Sequence, residues 1–181
     1  MLKLKVLSIV ALGLLLAFSG CSTAPKSEAK REDLQMDAVD AIKQMKADDS
    51  SLDAFLSHSY GYVIFPHVGK GAYIVGGSYG RGIVYEQGMF IGYADISQAT
   101  VGLQVGGQAF MELLAFESKR DLDRFTSGKL AISANLSAVI LKTGAAASAK
   151  YTDGVACFVK PIGGAMVEAS IGGQQFTFVP K

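Results

Sequence analysis

His58 and His67 are the two histidines of this 181-residue chain, and Cys21 and Cys157 its two cysteines. A metal centre takes three or four N, S or O ligands at fixed spacing. Neither histidine has a paired carboxylate at ligand spacing; both flank an expected strand and are assigned to surface or capping positions. Gly76-Gly77-Ser78-Tyr79-Gly80 has the Gly-x-Ser-x-Gly spacing of serine hydrolases, but Ser78 has no evident base and falls in an expected strand rather than at the strand-to-helix turn that such a nucleophile needs. Gly69-Lys70-Gly71 lacks the upstream glycine and downstream hydroxyl of a phosphate loop, and no Gly-x-Gly-x-x-Gly occurs. The chain is therefore expected to have no catalytic residues, no metal and no cofactor.

One stretch has the residue types of a binding face. On strand alternation, Tyr73, Val75, Tyr79, Arg81, Ile83 and Tyr85 project from one side, and Ala72, Gly76, Ser78, Gly80 and Gly82 from the other. Tyrosines suit an apolar–aqueous boundary, and a guanidinium suits phosphate. Lys70, Tyr73, Tyr79, Arg81 and Tyr85 are accordingly the candidate lipid contacts. The competing reading is a core face of tyrosines with Arg81 paired to an acid such as Asp95 or Glu86. A bulge at Gly76-Gly77 would reverse the assignment beyond it.

The first 20 residues carry Lys3 and Lys5 and no acid, and residues 6–18 form an uncharged apolar run of 13 residues. That is too short to span a bilayer core, which takes about 20 residues, and fits an export signal. Phe18-Ser19-Gly20-Cys21 resembles the lipobox of bacterial lipoproteins, with Cys21 as the lipidated first residue; the alternative is an ordinary secretory signal followed by a cysteine. Lipidation anchors at roughly 0.8 kcal/mol per buried CH₂, and stable anchoring takes two or more chains. Ser22, rather than aspartate, resembles outer-membrane sorting. Residues 1–20 are thus the signal, 21–29 the lipidated tether and 30–181 one domain. Cys157, in Val155-Ala156-Cys157-Phe158-Val159, is expected to be a small buried hydrophobe without a disulfide partner.

Setting aside Lys3 and Lys5, the balance is 15 basic to 16 acidic residues, so no nucleic-acid partner is expected. Half the residues are hydrophobic and 18% charged, which excludes disorder. Between residues 30 and 47, Leu34, Ala38, Ile42 and Met45 follow helical spacing. Asp48-Asp49-Ser50-Ser51 breaks the pattern, and Ser50 with Asp53 resembles a capping box for a second short helix to about His58. Eight acids against four bases between residues 28 and 53 favour packing on the domain over lying on a membrane.

Beyond Tyr60 the texture is β. Nineteen of the 21 glycines fall between Gly61 and Gly173, and short apolar runs alternate with turn signals at Gln87-Gly88, Asp153-Gly154, Pro161-Ile162-Gly163-Gly164 and Gly172-Gly173. Residues 130–140 alternate as a strand with one face buried. One helix interrupts, capped by Ser118, with Leu122 and Phe125 inward and Gly128 as its stop. The expected fold is α+β: a strongly bent antiparallel β-sheet or barrel, with N-terminal helices and one short internal helix. The glycine pairs are expected at bulges or bends.

Several separated blocks resemble SYLF domains. These are Phe65-Pro66 with Gly69-Lys70-Gly71; Gly76-Gly77-Ser78-Tyr79-Gly80-Arg81-Gly82; Gly92-Tyr93-Ala94-Asp95-Ile96-Ser97-Gln98-Ala99; Gly102-Leu103-Gln104-Val105-Gly106-Gly107-Gln108; and Glu168-Ala169-Ser170-Ile171-Gly172-Gly173-Gln174. They occur in that order, and the resemblance runs from about residue 30 to the end. Similar eukaryotic proteins join the domain to SH3 or FYVE modules and bind phosphoinositides; yeast members also bind actin and its assembly regulators. Bacterial members look like single-domain exported lipoproteins. The resemblance implies phospholipid binding without catalysis. The chain departs from eukaryotic members in its net acidic N-terminal segment.

The expectation is an outer-membrane lipoprotein facing the periplasm, tethered through Cys21, whose domain binds phospholipid or an anionic headgroup. The alternative is an envelope structural or protein-interaction module with a protein partner and no lipid ligand beyond the anchor.

Overall fold

A computed structural model of the chain describes residues 25–72, 75–101, 106–130, 138–163 and 174–181, with the side chains of 70–72, 75–77, 99–101, 106–108 and 163 left aside. Cys21, Tyr73 and the expected turn at Gly172-Gly173 lie outside the described residues, as does the expected strand at 130–140 apart from its two ends.

Helix α1 is Glu28–Asp48. Ser27 Oγ accepts the Lys30 backbone N–H at 3.4 Å, satisfying one of the free donors of the first turn. Glu28 in the first turn and Lys46 in the last complement the helix dipole. Ala38, Ala41 and Met45 are buried, so the helix packs on its own domain as its spacing predicts. Helix α2 is Ser51–His58. Its cap differs from the expected box: Ser50 makes no side-chain cap, and Asp49 Oδ1 accepts the Ser51 N–H at 3.0 Å instead.

The strands are β1 (Gly61–Ala72), β2 (Val75–Glu86), β3 (Met89–Val101), β4 (Gly106–Phe116), β5 (Ala138–Ile140), β6 (Val155–Gly163) and β7 (Gln174–Pro180). They form one seven-stranded sheet in the order β5-β6-β4-β1-β2-β3-β7. Every adjacent pair is antiparallel except β5 with β6, which is parallel and departs from the all-antiparallel expectation. The sheet is curled but open: β5 and β7 are its two edges among the described residues.

The strands are longer than the short apolar runs suggested, because glycine does not interrupt the ladder here. Gly76 and Gly77 pair in register with Thr100 and Ala99, so no bulge falls at that pair. On β1 the register instead shifts around Pro66, between Ile64 and His67 on one side and Phe65 and Val68 on the other, where proline has no N–H to give the ladder. Pro161, expected in a turn, lies inside β6 opposite Phe110, beside another shift. Gln87-Gly88 and Asp153-Gly154 do form turns, with φ of 48° and 78°, and 51° and 78°, as two-residue type I′ hairpins require.

The inner face of the curl gathers Val63, Phe65, Val84, Ile96, Phe110, Leu114, Phe116, Val159 and Phe176 into one apolar core. The Phe65 and Phe176 rings lie 6.1 Å apart although β2 and β3 separate their strands, which is a direct measure of the curl. Gly82 makes room for this crossing, since a Cβ there would stand 2.7 Å from the Phe65 ring. Helix α3, Lys119–Thr126, covers one end of the core. Its Phe125 ring sits 5.1 Å from Phe116 and 5.3 Å from Phe176. Ser118 stands at the expected N-cap, but its hydroxyl donates to Asp121 Oδ2 rather than accepting from the backbone. Gly128, at φ 68°, follows the helix in the left-handed conformation.

The outer face carries the second core, in which α1 and α2 bury Met45, Leu52 and Leu56 against Ile64, Ile83, Tyr93, Met111 and Phe158.

Candidate functional site

Alternation along β2 holds as expected: Ser78, Gly80 and Gly82 belong to the inner side with Val84, and Tyr79, Arg81, Ile83 and Tyr85 to the outer. Tyr79 and Arg81 come together there. Arg81 Nε donates to Tyr79 Oη at 2.9 Å and stands 3.7 Å from Asp95 Oδ1. Tyr79 Oη in turn donates to Asp95 Oδ1 at 3.2 Å. Asp95 faces Arg81 in the β2–β3 register, so the guanidinium has the acid partner that the competing sequence reading named. Both of its contacts run through Nε.

The patch is partly wet. Tyr79 is 46% exposed and the Arg81 side chain 38%, with the guanidinium 6.0 Å from the ring centroid. Desolvation raises the Tyr79 pKa; Arg81 works against this, and the Asp95 charge adds to it.

Tyr85 stands apart from this pair. Its ring stacks on Tyr62 at 5.0 Å and packs against the outer core, and burial pushes Tyr62 up to about 12. Lys70 lies in β1 opposite Ser78 and Gln108, not opposite Tyr79 or Arg81. Of the five candidate lipid contacts, Tyr79 and Arg81 form a pair, Tyr85 belongs to a different cluster, and Tyr73 is outside the described residues.

His58 Nδ1 lies 2.7 Å from the Ala54 carbonyl at the end of α2, so it hydrogen-bonds its own helix. His67 is exposed in β1 opposite Arg81. Among the described residues, no three His, Cys, Asp or Glu side chains form a group able to hold a metal ion.

A second polar region lies inside the curl and was missed from the sequence. Glu112 is fully buried, with Oε2 accepting from Gln174 Nε2 at 3.0 Å and the Cys157 thiol donating to the carboxylate. Burial raises its pKa to about 7 despite both hydrogen bonds, which lower it. Cys157 is buried as expected, and burial and the Glu112 charge raise its thiol well above the ordinary range, so it is no nucleophile. The signal was present: in residues 109–116, Glu112 falls in phase with the inward Phe110, Leu114 and Phe116, a lone acid on an apolar alternation.

No family model matches the chain, and no curated protein matches it.

Proposed function

We propose that the chain is an exported lipoprotein, anchored through Cys21, whose sheet domain binds phospholipid by taking an anionic headgroup at Tyr79 and Arg81. The single observation that carries this reading is the way Arg81 is held. Tyr79 and Asp95 engage Nε, and the two terminal nitrogens make no hydrogen bond among the described residues. A guanidinium fixed at its base and free at its fork is preorganised for two parallel bonds to a phosphate. The half-exposed Tyr79 ring beside it suits the headgroup boundary.

Asp95 offsets much of the Arg81 charge, so the intrinsic affinity is modest. A tether at Cys21 raises the effective headgroup concentration into the millimolar range, where modest affinity suffices. Catalysis has no part in this reading.

Flotation of the chain lacking residues 1–21 with anionic and zwitterionic vesicles is the test. Salt-sensitive binding to the anionic vesicles, weakened several-fold by Arg81→Ala in a folded protein, is expected. No binding to anionic vesicles at low salt sinks the reading.

The second reading, an envelope protein-interaction module, is favoured by one observation: Met36 and Val39 on α1 are 60% and 59% exposed. Crosslinking from these positions in cells that captures one dominant protein would favour it.

A further inference from the structure

A polar band crosses the inside of the curled sheet. Ser78, Gln98, Glu112, Cys157 and Gln174 come from five different strands, and each is 5% exposed or less. Ser78 Oγ donates to Gln98 Oε1 at 3.2 Å, Gln98 faces Gln174 in the β3–β7 register, and Gln174 reaches across the curl to Glu112. Two oxygens of this band, Glu112 Oε1 and Gln174 Oε1, are buried without a hydrogen-bond partner among the described residues. Both belong to groups with strong acceptor character, and such atoms are costly to leave unmade in a core.

The groups acting on the Glu112 carboxyl are Gln174 and Cys157. Its register neighbours are Phe65 on β1 and Val159 on β6, both apolar. Among these, none supplies a positive charge.

The missing complement is defined by chemistry. With Glu112 ionised, it must donate hydrogen bonds to two oxygens and balance one negative charge. Water donates two bonds but carries no charge. A quaternary ammonium carries the charge but has no N–H. A guanidinium fork engages both oxygens of a carboxylate, and here Oε2 is already occupied by Gln174. A primary ammonium, compact and with three donors, meets every condition.

We propose that this interior band is a binding site for a primary ammonium group, which donates to Glu112 Oε1 and Gln174 Oε1. The group belongs either to an ethanolamine-type lipid headgroup or to a small free amine. The site is on the inner face of the sheet, so it is distinct from the outer Tyr79–Arg81 pair. Because the ionised carboxylate is the form that pairs, affinity rises with pH through about 7, where Glu112 ionises. Among the described residues, Cys157 is the other titratable group acting on it, and burial keeps its thiol protonated throughout that range.

Thermal unfolding of the detergent-solubilised full chain tests the site at constant ionic strength. The probes are ethanolamine, choline, and mixed micelles containing phosphatidylethanolamine or phosphatidylcholine. Saturating ethanolamine is expected to raise the unfolding temperature by roughly 5 °C, choline to leave it unchanged, and Glu112→Gln to abolish the response. Gln174→Met removes the second acceptor, and with it the amide donor to Glu112 Oε2, while the carboxylate itself stays in place, and keeps the test decisive should Glu112→Gln fail to fold. A rise with phosphatidylethanolamine and not phosphatidylcholine identifies the lipid source; a rise with ethanolamine alone identifies the free amine. The proposal is overturned if ethanolamine and choline act alike, if neither amine-bearing probe has an effect, or if the folded variants respond as the parent does. Arg81→Ala, which tests the outer site, is expected to leave all of these responses intact.

Discussion

Asp49 Oδ2 accepts the Ala146 backbone N–H at 2.6 Å across 97 positions of sequence, and Oδ1 accepts those of Gly144 and Ser51 at 3.1 and 3.0 Å. One carboxylate thereby starts α2 and fastens it to the loop before β6. Removing it leaves several partly buried donors without an acceptor, so Asp49→Ala is expected to cost roughly 2–4 kcal/mol. Burial acts to raise the Asp49 pKa, but the hydrogen bonds from Ala146, Ser51 and Gly144 outweigh it and the net shift is downward from 3.8. A lowered folded value stabilises above the unfolded one and is lost as pH falls through it. Urea unfolding should therefore show an acid-side loss of stability below about pH 4 that is smaller in Asp49→Ala. An equal acid-side slope in both proteins would remove Asp49 from this role.

Two glycines of the sheet make opposite forecasts. A Cβ on Gly82 would stand 2.6 Å from the Ile64 carbonyl oxygen and 2.7 Å from the Phe65 ring, whereas one on Gly69 meets nothing within 4 Å. Gly82→Ala should destabilise by roughly 1–3 kcal/mol, through displacement of the aromatic crossing that closes the inner core. Gly69→Ala should fall within about 0.5 kcal/mol of the parent. Denaturant midpoints of the two variants, measured side by side, decide whether the curl depends on glycine at the crossing.

These glycines also mark what the sequence could and could not convey. Helix α1, the alternation of β2, the inward Leu122 and Phe125, and the turns at Gln87-Gly88 and Asp153-Gly154 follow from local rules of period and φ, which a sequence carries directly. The strand lengths did not, because Gly76 and Gly77 resemble an interruption when read locally, and only their partners on β1 and β3 keep them in the ladder. The caps failed for a similar reason. Asp49 and Asp121 are held by groups distant in sequence or by charged neighbours; Asp49 rather than Ser50 then accepts the first N–H of α2, and Asp121 takes up the Ser118 hydroxyl. Of the candidate site, alternation placed Tyr79 and Arg81 on one face, but Tyr85 is withdrawn by Tyr62, a neighbour on β1. Glu112 and Gln174 are 62 residues apart and meet through the curl, which no local pattern encodes.

Glu112 gives the fold an unusual pH dependence in the absence of added amine. Burial pushes its carboxyl up to about 7 in the folded protein from the ordinary 4.5, so between those values the native state holds a proton that the unfolded chain has released. Stability therefore falls as pH rises from about 4.5 to 7 and levels off above, by an amount of the order of 3 kcal/mol. Glu112→Gln keeps the shape and cannot ionise, so its stability should be flat over this interval and should exceed that of the parent at pH 8. Urea midpoints at pH 5 and pH 8 for both proteins check this. A parent protein no less stable at pH 8 than at pH 5 would mean that the buried carboxyl is compensated by something other than a proton.

The outer site turns on the competition between Asp95 and a headgroup phosphate for the same guanidinium. Asp95 Oδ1 lies 3.7 Å from Arg81 Nε and also accepts from Tyr79, so it both positions the arginine and neutralises it. Asp95→Asn separates the two effects, since the amide oxygen keeps an acceptor in place while the negative charge disappears. With the local charge raised by one, binding of anionic vesicles by the chain lacking residues 1–21 should strengthen severalfold at low salt, and the gain should shrink as salt screens it. In the double variant Asp95→Asn with Arg81→Ala the gain should vanish, because no guanidinium remains to be released. Flotation across a salt series separates the outcomes. A gain that survives without Arg81 would assign headgroup binding to another surface, and no gain with Arg81 present would mean that phosphate does not contact this guanidinium.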